Sequence, residues 1–398
     1  MQRRDFFKLS LIASSSLVCA RSQEFETRKP IDTQRVSDVA FIEKRPLITY
    51  SDRPPLLETP RDAFTTAITP NNELFVRWHM PHIPTHIDLS SYYIHVHGEV
   101  KKRLYLTIES LKKDFEQVEI TVAMQCGGNS RSAFVPTTSG IQWGSGAMGC
   151  SHYKGVRLKD ILERAGLNDD SVWITLNGDD KPVMSKIPTY KRELKISEIS
   201  EDTIIAYEQN GEDLPFLNGY PVRLIIPGFY SDSWVKMLSN ITVTKEYKEY
   251  FYMDKAYRFP DNKSGSETPD NLAKTTKPLE FMNVKSYIGY PTPKTVLSSG
   301  SKLTIKGVAF DEGYGIKEVF ISLDNGKNWD KASLGEELSK YAFRTFSYNL
   351  KLMNKGRLNI MAKAVNNRGQ EQPFAHEIAW NHGGYRYNGI DTVRVNVV

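Results

Sequence analysis

Cysteine is scarce in this chain: three in 398 residues, at Cys19, Cys126 and Cys150. So few exclude a disulfide-stapled secreted scaffold, which needs more of them and in even number. No Cys-x-x-Cys-His run occurs, so no c-type haem is attached covalently to this chain. Beyond the N-terminus no stretch of 18 apolar residues exists, and no membrane-spanning helix is expected. Charge of one sign is also missing. The formal net charge is +5, and Arg3, Arg4 and Lys8 against Asp5 already account for part of it. The other basic residues are scattered along the chain, which argues against a nucleic-acid partner. No internal repeat is visible, which excludes solenoids and propellers.

What is there is an ordinary globular balance, 40% hydrophobic and 25% charged, in a length that suggests two or three domains. The chain opens Arg3-Arg4-Asp5-Phe6-Phe7-Lys8, then an apolar stretch from Leu9 to Cys19 and a small-residue site at Ala20. Paired arginines before such a stretch read as a twin-arginine export signal over residues 1–20, against the alternative of an ordinary basic leader. Export in the folded state is the route of proteins that receive a cofactor before they cross, and it implies a periplasmic destination. Residues 21–65, rich in Arg, Pro, Glu and Thr, read as an extended tether.

From there the chain alternates short β-like runs with loops. Leu74–Trp78, Tyr93–Gly98, Val118–Ala123, Val172–Leu176 and Val222–Ile226 read as strands. Leu158, Ile161, Leu162 and Ala165 fall at helical spacing before Gly166 and predict a helix over Arg157–Ala165. Residues 261–278 form a polar linker. After it, Lys302–Phe310, Glu318–Leu323 and Arg357–Ala364 alternate with period two, and Asp324-Asn325-Gly326 is a hairpin signal. Such spacing predicts an all-β sandwich over residues 279–398, behind an α+β, mixed α/β domain over residues 66–260.

The segment richest in chemistry is Met124-Gln125-Cys126-Gly127-Gly128-Asn129-Ser130-Arg131, at the end of a predicted strand. A lone cysteine there is a nucleophile, a soft-metal ligand, or a small buried hydrophobe. The glycines allow tight turning and close approach by a large ligand. Gly144-Ser145-Gly146-Ala147-Met148-Gly149 is a literal dinucleotide fingerprint, but Cys150 to Gly155 separates it from the following helix, which argues against nucleotide binding. His95 and His97 share one strand face without an identifiable third metal ligand.

Gln-Cys-Gly-Gly-Asn-Ser-Arg resembles the cysteine-ligand motif of the sulfite oxidase and sulfite dehydrogenase family. The likeness extends through Phe75-Val76-Arg77-Trp78-His79, Gly146-Ala147-Met148-Gly149, Gly155-Val156-Arg157-Leu158, Ala206–Pro215 and Gly219-Tyr220-Pro221-Val222-Arg223. It implies a molybdenum-molybdopterin cofactor, a molybdopterin-binding catalytic domain and an immunoglobulin-like dimerisation domain. It also implies oxidation of sulfite to sulfate by oxo transfer. In it, Cys126 is the thiolate ligand to the metal and Arg77 the substrate-binding arginine. His79 lies against the pterin, and Tyr257 is the catalytic tyrosine. Arg223 and Lys236 grip the pterin phosphate, and Asp179 reaches the pterin ring. Trp380-Asn381 resembles the family's segment at the substrate entrance, which would make Arg386 the second substrate arginine.

Two departures stand out. Asn218 replaces the histidine of vertebrate members, which puts one phosphate contact in doubt. Ser233 replaces an arginine and predicts a less positive pocket. With no haem of its own, the chain is expected to pass electrons to a c-type cytochrome, as a homodimer or as a heterodimer with that cytochrome. Two alternatives remain at this point: the molybdenum subunit of a multi-protein thiosulfate-oxidising system, and a non-catalytic periplasmic binding or adhesion protein.

Overall fold

The computed structural model describes residues 41–398 apart from Ile42 and Thr85. The expected twin-arginine leader, with Cys19 and the expected processing point, lies outside the described residues.

The described part of the expected extended segment is built from paired strands. Ile48–Asp52 and Pro55–Glu58 form a hairpin, and Pro55–Glu58 pairs with Val76–Arg77 in a three-stranded sheet. The physical reason is burial: Leu56 and Leu57 are enclosed, and Glu58 is locked in by hydrogen bonds. Its carboxylate accepts the N–H groups of Gly144 at 2.8 Å and Gly146 at 2.9 Å and the hydroxyl of Tyr50 at 2.7 Å. A Cβ on Gly146 would lie 1.9 Å from the Thr59 carbonyl. The Gly144–Gly149 run is therefore a packing surface for this hairpin. It leads into the strand Met148–Arg157 rather than a helix, so the nucleotide reading fails.

Two five-stranded sheets carry the first half. One is ordered Glu212–Asp213, Ile204–Gln209, Met148–Arg157, Val118–Gln125, with Arg223–Ile225 also pairing on Ile204–Gln209. The other is ordered Leu104–Leu106, Ile94–Gly98, Leu238–Thr244, Trp173–Gly178, Lys191–Lys195. Among the described residues the α-helices are few, at Ile108–Asp114, Leu158–Ala165 and Phe251–Asp254, so these residues are mostly β and less mixed than expected. The helix Leu158–Ala165 buries all four periodic apolar residues and ends on Gly166 at φ 67°. Burial stabilises each of its large side chains by about 1.5–3 kcal/mol. The predicted strand Leu74–Trp78 shrinks to Val76–Arg77.

Arg258–Pro260 pairs with Thr276–Pro278, so the expected linker leaves and returns on a two-stranded base. Beyond it, two sheets share one apolar core. One is ordered Lys285–Tyr290, Lys302–Phe310, Arg344–Lys351, Ser333–Leu334. The other is ordered Val296–Leu297, Asp391–Val397, Gly356–Asn366, Ile316–Ser322, Asp330–Lys331. Asn325 and Gly326 take φ of 64° and 85°, the left-handed pair that the turn signal demands. Alternation in Lys302–Phe310 stops after Lys306. Val308 and Phe310 there join a further core with Phe64, Met148, Cys150, Tyr257 and Leu279. The functional side chains gather beside that core.

Candidate active site

Strand Val118–Gln125 ends by delivering Cys126 to the wall of a cavity. The turn that follows is held from both sides. Asn129 N–H donates to the Cys126 carbonyl at 2.9 Å, and the Asn129 side chain accepts the Ala147 N–H at 3.1 Å. Ser130 adopts φ 65°. The glycines serve the protein's own packing. A Cβ on Gly127 would lie 2.1 Å from Leu279, and one on Gly128 would lie 2.4 Å from the Arg131 guanidinium. Arg131 fixes the turn to its surroundings by donating to the carbonyls of Gly383 at 3.0 Å and Ile141 at 2.9 Å.

Arg77, His79, Cys126, Asn218, Arg223, Lys236 and Tyr257, far apart in sequence, all line this cavity. Arg77 and His79 alternate on one chain segment and so face the same way. His79 Nε2 and the Tyr257 hydroxyl share a hydrogen bond, and the His79 ring stacks on Tyr190 at 4.0 Å. Tyr257 sits at φ 56°, a left-handed conformation that costs a non-glycine residue about 1 kcal/mol or more. The backbone is thus bent to present the phenol.

Electrostatics sorts these groups. Burial pushes His79 well below its ordinary range, helped by Arg77, Lys236 and Arg192, so the imidazole is neutral. Burial pushes the Cys126 thiol up, against the pull of Arg77 and Arg131. It lowers the Lys236 ammonium and raises the Asp180 carboxyl beside it. The cations rest on neutral oxygens. Arg77 Nη1 donates to the Trp78 carbonyl, Arg223 Nη1 to the Asn218 carbonyl at 2.7 Å, and Lys236 Nζ to the Arg77 carbonyl at 2.9 Å.

Two expected residues lie elsewhere. The Arg386 side chain lines a separate polar pocket with Glu312, donating to Asn283 at 2.7 Å above the Phe259 ring. Its left-handed backbone, φ 66°, turns it there, while its N–H donates to the Gly127 carbonyl at 3.1 Å. Asp179 follows the strand Trp173–Gly178 with its N–H on the Met237 carbonyl and does not reach the cavity; Asp180 is the acid beside Lys236. His95 and His97 stack on each other at 4.2 Å. Among the described residues no group of three or more His, Cys, Asp or Glu is placed to hold a metal ion, and Cys126 and Cys150 are unpaired.

Several site residues escaped sequence reasoning: Tyr190, Arg192, Asp232 and Trp234. Arg192 packs against Ser233. Its Nη2 reaches Ser233 Oγ at 3.1 Å and Asp232 Oδ2 at 3.2 Å, and its guanidinium lies 5.5 Å from the Tyr257 ring. A guanidinium from strand Lys191–Lys195 thus stands beside position 233, paired with an acid. Only three-dimensional pairing reveals this, because Arg192 lies in a charge-rich strand without a motif.

Those observations fit a phosphate-bearing, thiolate-coordinated group. A thiol stands in the wall, and cations with neutral partners cluster at one end. The buried Arg223 Nε and Trp234 Nε1 have no hydrogen-bond partner. An anionic ligand with many acceptors would satisfy them.

Comparison with known proteins agrees. Residues 79–252 match the family described as oxidoreductase molybdopterin binding domain, and residues 276–397 match the Mo-co oxidoreductase dimerisation domain. Sulfite oxidase of Arabidopsis thaliana is 30% identical over 354 residues, covering 82% of this chain and 88% of that protein. Mitochondrial sulfite oxidase of Mus musculus is 31% identical over 362 residues, covering 87% of this chain but 65% of its own length. The chain thus spans just under two thirds of the mammalian relative. The crystal structure of the sulfane dehydrogenase SoxCD from Paracoccus pantotrophus shares the fold. Its TM-score is 0.76 at 24% identity, over 93% of this chain and 95% of that one.

Proposed function

We propose, on the premise that this chain belongs to the sulfite oxidase family of molybdenum-cofactor oxidoreductases, that it oxidises sulfite to sulfate in the periplasm and passes electrons to a c-type cytochrome. The observation that carries this is the convergence of Cys126, Arg77, His79 and Tyr257 on one cavity whose other end holds Arg223, Lys236 and Asn218. When bound, the cofactor would supply two-electron oxo-transfer chemistry. The chain's own residues do the rest. Cys126 would ligate the metal, and because burial keeps the free thiol protonated, binding would release that proton. Arg77 would hold the substrate's oxyanion through its planar fork. The Tyr257 hydroxyl, hydrogen-bonded to neutral His79, would hold or pass a proton at the substrate. Arg223, Lys236 and Asn218 would bind the pterin phosphate.

The reading extends to organisation. The division at residues 261–278 into a catalytic part and a dimerisation part is supported by two family matches, the first ending at residue 252 and the second beginning at residue 276. We read the paired C-terminal sheets as immunoglobulin-like and the assembly as a homodimer or a heterodimer with the cytochrome. A second reading, the molybdenum subunit of a multi-protein thiosulfate-oxidising system, uses the same site residues. The deciding experiment is molybdenum content of the mature protein, paired with sulfite-dependent cytochrome c reduction. About one metal per chain with sulfite turnover supports the first reading. Metal with turnover only when partner proteins are added supports the second. Mature protein without metal sinks both.

A further inference from the structure

Just past the first described residues, the N-terminal segment reaches the phosphate end of the cavity. The Glu43 carboxylate accepts the N–H groups of Phe216 at 2.8 Å and Leu217 at 2.6 Å, which pins the segment to the turn Phe216–Asn218. Lys44, next in sequence, points its ammonium inward. Its Nζ donates to the Asn71 carbonyl at 2.6 Å and to Asn218 Oδ1. A lysine ammonium only donates, so the atom of Asn218 facing it must be the oxygen. That fixes the amide. Asn218 Nδ2 then donates to the Phe75 carbonyl at 3.2 Å, and its second N–H is left for a ligand oxygen in the cavity that Asn218 lines. The Asn218 carbonyl accepts Arg223 Nη1, so Lys44, Asn218 and Arg223 form one connected group. Burial lowers the Lys44 pKa to about 8, with Glu43 raising it and Arg223 lowering it further.

We propose that Lys44 is a positioning residue for the phosphate end of the cofactor, orienting the Asn218 amide as a donor and adding positive charge behind it. This rests on the cofactor reading above.

The test uses the cofactor-loaded full chain and reads molybdenum and released pterin fluorescence per chain, before and after prolonged desalting. Lys44→Met is expected to lose cofactor about tenfold faster than wild type, on the scale of one charged hydrogen bond. Lys44→Arg should stay within a few-fold of wild type. Adding Asn218→His to Lys44→Met should restore retention, which a general folding defect would not allow. Should Lys44→Met fail to fold, Lys44→Gln gives the same comparison with a neutral donor. Unchanged retention in a folded Lys44→Met protein overturns the proposal, as does equal loss in Lys44→Arg. Wild-type protein devoid of molybdenum overturns instead the reading on which it rests.

Discussion

Replacing Arg192 with Met tests the strongest claim about the site's internal support. Arg192 and Asp232 are paired at 3.2 Å with side chains only 2% and 1% exposed. Removing one partner leaves a buried charge uncompensated, which costs about 3–5 kcal/mol. Unfolding entropy near 2.1 cal/mol/K per residue over 398 residues converts this to a melting shift of about 4–6 °C. The pH dependence has a definite sign. Burial holds Asp232 up at about 7 even with Arg192 beside it, against about 3.9 in an unfolded chain. Between those values the folded state keeps a proton that the unfolded state has lost, so its contribution to stability falls as pH rises. Without Arg192 the carboxyl rises further, so the penalty continues to grow above pH 7. Thermal unfolding of metal-free Arg192→Met should therefore show the full shift at pH 8.5 and less than about half of it at pH 5. The double variant Arg192→Met/Asp232→Leu should recover most of the loss. A single variant as stable as wild type at pH 8.5, or a double variant no better than the single, would refute the reasoning.

The remaining predictions concern the cavity. Cys126→Ser should abolish molybdenum retention and sulfite turnover while circular dichroism stays native; full turnover in that variant removes the ligand assignment. Arg77→Gln should raise the sulfite KM about 10- to 150-fold, the equivalent of a charged hydrogen bond of about 1.5–3 kcal/mol. An unchanged KM counts against an anion-binding role. Tyr257→Phe should lower kcat by about 10²-fold or more with little change in KM if the hydroxyl handles a proton; a large KM effect alone would reassign it to binding. Gly127→Ala should destabilise the fold, because the new methyl meets Leu279 at 2.1 Å. Normal stability and cofactor content there would mean that the turn yields more easily than its packing implies.

Much of this architecture was legible because local patterns and tertiary demands agree. The period-two runs around Ile305 and Ile360 became strands because one face of each meets a shared core. The helix ending at Gly166 followed from spacing and a left-handed terminator. Motif residues such as Cys126, Arg77 and His79 converged because each sits at or beside a strand end. What stayed hidden depends on pairing between distant segments. The hairpin within residues 21–65 could not be read from their composition, because what fixes it is Glu58 finding two glycine N–H groups some 86–88 positions away. Arg192 and Asp232 carry no signal separately; only their contact beside Ser233 reveals a buried ion pair there. Arg386 was misplaced because its left-handed φ cannot be read from a tyrosine- and glycine-rich run.

The N-terminal segment has one more contact of consequence. Arg61 donates two hydrogen bonds to Asp391, at 2.8 and 3.1 Å, and a third to the Ile288 carbonyl, joining positions 330 apart in the chain. Three residues before it, Glu58 braces the glycine run behind the cysteine turn. The N-terminal hairpin is thereby tied at one side to the cysteine turn and at the other to the strand Asp391–Val397 of the C-terminal sheets. The wall of the site is thus braced through residues that do not line it, so a change at Asp391 would reach the cysteine turn without touching the cavity.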